Sequence, residues 1–319
     1  MKRVAWRLVQ SLAVLLVMSV VVHALMGLMP GDPIDLMIST NPHLSPQDAQ
    51  NLRALYGVGQ PWPERWARWM IQILSGNLGY SRLYARPVAE IILPAIAHTA
   101  LLAGATMATS MIFGLGLGIV AGAKSGGWAD RVIRIGSYFA LSLPTFWAGL
   151  MLTAIFSVAL GWLPASGMSS SLPGEGARIG DIAAHLVLPS VTLSIGLAAQ
   201  YMRQMRAAMM AEAPQPYIRT ARAKGCSPWR VVLAHQLRNA ALPITTVVAL
   251  ETGSLLSGAL VTETVFAWPG LGRLSYGAIM GNDYNLALSA LLLATAMTLV
   301  MSIAADMAYG LLDPRTRRT

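Results

Sequence analysis

Six stretches of the chain are apolar almost without interruption, at about 8–29, 99–123, 135–160, 186–202, 241–261 and 287–310. A membrane-crossing helix needs about 20 such residues, so the pattern predicts six transmembrane helices. Tyr138, Ser142 and Pro144 dilute the third stretch, and the fourth is short and carries Pro189. The first follows Lys2, Arg3 and Arg7 and ends at Leu28-Met29-Pro30 with no small-x-small cleavage pattern. Its apolar run is long for a signal peptide, which makes an uncleaved anchor the expectation.

Between the first two stretches lies a long segment, 30–98. Ser45-Pro46-Gln47-Asp48, followed by Leu52 and Leu55, predicts a helix start, with Ser as N-cap and Pro at the first helical position. A second amphipathic stretch, 64–74, brings Trp62, Trp66, Trp69, Met70 and Ile73 near one side, the composition of an interfacial helix. It can serve as a lid on the span ends, as a docking surface for an outside partner, or as both. Gly114, Gly118 and Gly122 fall four apart on one face of the second stretch, the small-xxx-small spacing that lets another helix approach closely. The nearby Gly118–Ser125 run resembles a phosphate loop but has Ala123 at the second Gly position and ends an apolar span rather than a strand. Nucleotide binding by that route is excluded.

Composition agrees with the pattern. Of 319 residues 55% are hydrophobic and 12% charged, with a mean hydropathy of +0.55. Soluble domains carry roughly 25% charged residues. The net charge of +9 and pI near 10.1 have a topological explanation. With the N-terminus inside, sixteen of the 23 Lys and Arg fall in inside segments and seven in outside ones. The positive-inside rule then puts both termini in the cytoplasm, and anionic inner-leaflet lipid accounts for the basicity without nucleic acid. One cysteine, Cys226, and five scattered His form neither a disulfide nor a zinc pattern. The 18 Met are spread along the chain, as suits adaptable packing. No HExxH, G-x-S-x-G or convincing carboxylate pair is present.

The inside segment 203–240 is organised. Pro214 and Pro216 break the outgoing helix, Tyr217–Lys224 reads as a short helix, and Gly225 supplies a left-handed stop with φ > 0. Ser227-Pro228 starts a second helix running through Val231, Val232, Leu233 and Leu237 to Asn239, and Pro243 opens the fifth span. From these features alone a basic amphipathic hairpin lying on lipid is as good a reading as a docking element. A DNA-binding helix-turn-helix does not fit a unit tethered between two spans.

The residues Tyr217-Ile-Arg-Thr-Ala-Arg-Ala-Lys-Gly225, with His235, Asn239 and Leu242-Pro243, resemble the cytoplasmic "EAA" loop of ABC-importer permeases, above all those of the dipeptide/oligopeptide/nickel family. The likeness extends through Pro30-Gly-Asp-Pro33, Gly76-Asn-Leu-Gly79, Ser81, Pro87-Val88, Ser142-Leu-Pro144, Phe146-Trp147, Leu163-Pro-Ala-Ser-Gly167 and His185-Leu-Val-Leu-Pro189. It continues in Thr262-Glu-Thr-Val-Phe-Ala-Trp-Pro-Gly-Leu-Gly-Arg273, Asp283-Tyr284 and Asp313-Pro-Arg315. One departure is Arg219-Thr220-Ala221 in place of the Glu-Ala-Ala triplet, as in peptide-type members.

The resemblance implies an all-α integral membrane protein with the type I ABC importer permease fold and a long first periplasmic loop. Residues 1–319 would form one permease domain in the bacterial inner membrane. It implies a transport subunit for short peptides, with nickel or a metal chelate as the alternative cargo. It further implies a second homologous permease, two cytosolic ATPases that hold ATP and Mg, a periplasmic binding protein, and no cofactor or metal in this chain. Tyr217, Ala221, Arg222, Ala223, Lys224 and Gly225 would couple the pore to the ATPases. An integral membrane enzyme is the contrasting reading, but no nucleophile, base and orienter can be assembled for it. Glu251, about mid-depth in the fifth span, should face protein or a watery cavity, as a pore-lining group or a hydrogen-bonded packing group. Asp306, nearer the end of the sixth, reads as a helix-end hydrogen-bonding group.

Overall fold

The computed structural model describes residues 2–27, 47, 61–170, 178–256 and 259–312. Ser45, Pro46 and Asp48 of the expected helix start, the 30–33 and 313–315 motifs and the side chain of Asp306 lie outside the described residues. The described chain is helical apart from one two-stranded pairing of β1 (Tyr80–Ser81) with β2 (Arg86–Pro87). The helices are α1 (Lys2–Gly27), α2 (Trp62–Leu74), α3 (Val88–Ala123), α4 (Trp128–Ser142) and α5 (Thr145–Leu152), the last continued by a π-helical turn at Thr153–Ala159. There follow α6 (Ile179–Glu212), α7 (Pro216–Ala223), α8 (Pro228–Arg230), a π-helical segment (Val231–Gln236), α9 (Leu237–Leu256), α10 (Leu260–Val265), α11 (Leu271–Met280) and α12 (Tyr284–Leu312). In lipid a chain must pair its backbone groups within its own segment, and helices do so.

Within the described residues each of the six apolar stretches falls mostly on helix, but the spans are not six simple rods. Among the described residues four helices are long and apolar enough to cross a membrane: Trp6–Met26, Val88–Ala123, Ile179–Glu212 and Tyr284–Ala304. A fifth is obtained if α4 and the helix from Thr145 to Ala159, which meet at a 103° bend, form one broken span. The bend follows from Pro144, whose ring disfavours helix at Leu143 (φ −79°, ψ 125°). The expected fifth span corresponds to α9, 20 residues long and diluted by Arg238, Asn239 and Glu251.

The helices also outrun the apolar windows. The second span begins at Val88 rather than 99, with Pro94 inside it. The fourth reaches Glu212 rather than 202. The helix beginning at Pro228 does not stop at Asn239, since α8, the π segment and α9 run on without a break and Pro243 lies inside α9. Ser227 precedes Pro228 with N-cap backbone angles, but its side chain makes no capping hydrogen bond.

The chain divides into two compact units. The first is Met1–Ala97 with Gly270–Met297. Its core joins Val22 and Met26 of α1, Trp69 of α2, Val88 and Ile92 of α3, and Leu271, Leu286 and Ala287. The amphipathic α2 lies against α1, with Trp66 Nε1 donating to Ser19 Oγ at 3.1 Å, while Trp62 stays 51% exposed. Buried Asp283 ties down the loop joining the two strands. It accepts from Ser81 Oγ at 2.5 Å and Leu83 N at 3.0 Å.

The second unit is His98–Pro269 with Thr298–Thr319. Here the glycine face of α3 meets α6. A Cβ at Gly114 would sit 2.6 Å from the Ala198 carbonyl oxygen, at Gly118 2.7 Å from Met205 Cβ, and at Gly122 2.5 Å from Met209 Cβ. All three are closer than real Cβ contacts, so the spacing serves helix packing. The same helix supplies a control, because a Cβ at Gly116 would meet nothing within 4 Å. Gly118→Leu should cost about 1–3 kcal/mol through overpacking. In thermal unfolding of the detergent-solubilised protein it should lower the midpoint clearly. Gly116→Ala, in the same span, should leave it unchanged.

Candidate functional site

The segment after α6 is built by breakers and a cap. α6 ends at Glu212, and Pro216 opens α7 at its first helical position, where a missing N–H costs nothing. Gly225 has φ +78°. Its N–H donates to Arg222 O at 3.0 Å and the next, Cys226 N–H, to Ala221 O at 3.3 Å. This pair of reversed bonds is a Schellman motif, which satisfies carbonyls that the end of α7 would otherwise leave open. The positive φ expected of Gly225 is therefore present. A Cβ there would meet nothing within 4 Å, so the requirement for glycine is conformational rather than steric.

α7 has two faces. Ile218, Ala221 and Val231 are buried together, with half-buried Cys226 packed on them. Tyr217, Arg219, Arg222, Ala223, Lys224 and Gly225 are exposed. Of the six residues singled out in this element, Ala221 faces inward and helps seat the helix, and the other five are on the outer side. Tyr217 donates its hydroxyl to Glu212 Oε2 at the end of α6. Burial, and then that bond, raise the phenol's pKa above its ordinary value, so it remains a donor throughout the physiological range. Below α7 the buried Gln236 of the π segment donates to Met209 O of α6 at 2.6 Å. The end of α6, α7 and the start of the following helix are thus fastened to one another.

Glu251 is not part of this cluster. It lies half-buried on α9 and accepts from Gln200 Nε2 of α6 at 3.1 Å. Two other acids went unnoticed in the sequence. Glu263 on α10 is fully buried and accepts from Thr99 Oγ1 at 2.7 Å. It stands inside a quoted motif, and the rule that drew attention to Glu251, an acid among apolar neighbours, applies to it equally. Asp130, 2% exposed in the first turn of α4, takes both arms of Arg206 of α6, Nε at 2.5 Å and Nη2 at 2.8 Å. It also accepts from Gly126 N at 2.9 Å.

Residues 114–318 match the family of binding-protein-dependent transport system inner membrane components. A putative peptide permease protein of Brucella ovis is 36% identical over 98% of both chains. A di/tripeptide transport system permease protein of Pseudomonas aeruginosa is 36% identical over 92% of both. A glutathione transport system permease protein of Pectobacterium atrosepticum is 36% identical over 98% of this chain and 97% of its own. Among solved structures, the inward-facing MetNI methionine ABC transporter covers 70% of this chain and 97% of its own, at 17% identity and a TM-score of 0.58, a likeness of fold.

The seat of α7 is testable without transport. Ile218→Ala removes a fully buried side chain, a change that costs about 2–5 kcal/mol in well-packed cores. Hydrogen exchange should show protection of the 217–224 amides largely lost. Arg222→Ala, on the exposed face, should leave that protection in place.

Proposed function

From a chain that belongs to the family of binding-protein-dependent transport system inner membrane components, we infer a permease subunit that carries short peptides inward and is driven through α7. That the protein is a multi-pass membrane subunit of an ABC importer, working with ATPase and substrate-binding components, is part of the family assignment. The peptide cargo rests on the relatives whose names specify peptide, di/tripeptide and glutathione transport. No relative compared above carries a nickel name, and peptide is the reading retained.

The finer arrangement is our proposal. A second homologous permease completes the pore, two cytosolic ATPases bind ATP and Mg beneath it, and this subunit performs no covalent chemistry of its own. Both termini face the cytoplasm, as the excess of Lys and Arg in the inside segments supports. That orientation puts α7 on the ATPase side. The observation that carries the coupling role is the division of α7 into a buried face, which fixes the helix to its neighbours, and an exposed face with Tyr217, Arg222, Ala223 and Lys224. An element that transmits a push must be held on one side and offered on the other. Glu251 is proposed to border the translocation path, with Gln200 holding its carboxylate in position.

Two substitutions test these roles. Gly225→Val fits sterically but imposes a left-handed penalty of about 1–2 kcal/mol and so disturbs the cap of α7. The protein should reach the membrane but bind its ATPases poorly, or let them hydrolyse ATP without import. Co-purification and ligand-stimulated hydrolysis measure this, and normal values for both would favour a hairpin that merely lies on lipid. Glu251→Gln keeps an acceptor for Gln200, so assembly should be retained while peptide uptake changes several-fold. Unchanged uptake kinetics for every peptide tried would leave Glu251 a packing group.

A further inference from the structure

The part-buried ion pair between α4 and α6 suggests how motion at α7 reaches the spans. Arg206 lies six residues before the end of α6 at Glu212, about 9 Å along the helix at the usual rise. Around this stretch α6 is gripped from three directions. Gly122 of α3 closes on Met209, Gln236 donates to the Met209 carbonyl, and Asp130 of α4 takes the guanidinium of Arg206 by two bonds. The first two are a close steric approach and a single bond, which hold position. The third has a defined orientation, because a two-armed guanidinium–carboxylate pair fixes direction as well as distance. Asp130 is itself held by Gly126 N, so the turn between α3 and α4 is included in the same connection.

We propose that Asp130 and Arg206 are positioning residues for coupling, a rigid clamp that makes the start of α4 move with the end of α6 when α7 is displaced. This rests on the coupling role inferred for α7. The pair makes no contact with cargo or nucleotide. It sets whether a displacement of α7 is spent bending the end of α6 or is carried into α4 and the bent span that follows it. A packing role alone would affect folding and assembly. A clamp also governs how much transport each hydrolysed ATP yields.

The test uses the complete importer in proteoliposomes, with binding protein and peptide, and measures peptide imported per ATP hydrolysed. Asp130→Asn keeps the shape and weakens the pair. Arg206→Lys keeps the charge balance but loses the two-armed geometry. In both, ATPase subunits should co-purify normally, and import per ATP should fall about two- to thirty-fold, the span produced by changes along a coupling network. A ratio within about 1.5-fold of wild type in both overturns the clamp, whatever the hydrolysis rate. If Asp130→Asn does not assemble, Arg206→Lys decides alone. The two proposals separate cleanly. An unchanged ratio beside a defective Gly225→Val rejects the clamp and keeps the role of α7. A fallen ratio beside a normal Gly225→Val rejects the role of α7 and shows that the clamp transmits from another point.

Discussion

The close approach of α3 to α6 is the constraint on which the second unit depends. Lipid tails are as apolar as leucine, so helices in a bilayer gain little by hiding apolar surface from one another and must gain by fitting. Gly114, Gly118 and Gly122 provide that fit, each where a single added carbon would collide with α6. Once α6 is held along three turns, the polar groups at its end have fixed positions. Arg206 can then meet Asp130, and the Met209 carbonyl can receive Gln236. The short α7 inherits its placement from the same helix through only a three-residue turn.

The two-faced construction of α7 has an energetic logic. An isolated eight-residue helix is too short to be stable in water, since nucleation is costly and few bonds repay it. α7 is maintained by its cap and by the buried trio Ile218, Ala221 and Val231. Those interactions occupy one face and leave the charged face uncommitted. The identity of the small residues follows. Ala221 is small where it packs with Ile218 and Val231, whereas Ala223 lies on the exposed side.

Much of this was legible in the sequence, for reasons that also mark where it stops being so. Hydropathy registers long apolar runs, so the stretches at 8–29, 99–123, 186–202 and 287–310 coincide with helices long enough to cross a membrane, whereas that at 135–160 is bent at Pro144 and that at 241–261 falls on α9, which is not among them. Helices, however, end where backbone pairing ends, and α3 and α6 continue into polar sequence that hydropathy does not count. Pro144 bends its helix whereas Pro94, Pro189 and Pro243 are accommodated inside theirs, so the presence of a proline alone does not say where a helix breaks. Local chemistry was the most readable. The φ of Gly225 follows from a helix that must reverse before Ser227-Pro228. Pairings between distant residues were invisible: Asp130 and Arg206 are 76 positions apart, and each taken singly is an ordinary charge near a span end.

The motif at 262–273 illustrates the same limit from the other side. Its residues were recognisable as a pattern, but a pattern does not reveal what each residue does. In the structure Phe266 and Trp268 are among the largest fully buried side chains, and Trp268 Nε1 donates to the His98 carbonyl at 3.0 Å. Ala267 between them takes φ +50°, unusual for a residue with a side chain. Glu263, one helical turn before, is fully buried with Thr99. A buried acid and a strained alanine in one short segment mean that packing here has overridden both local backbone preference and the cost of burying a polar group. Such a segment is over-determined by its surroundings.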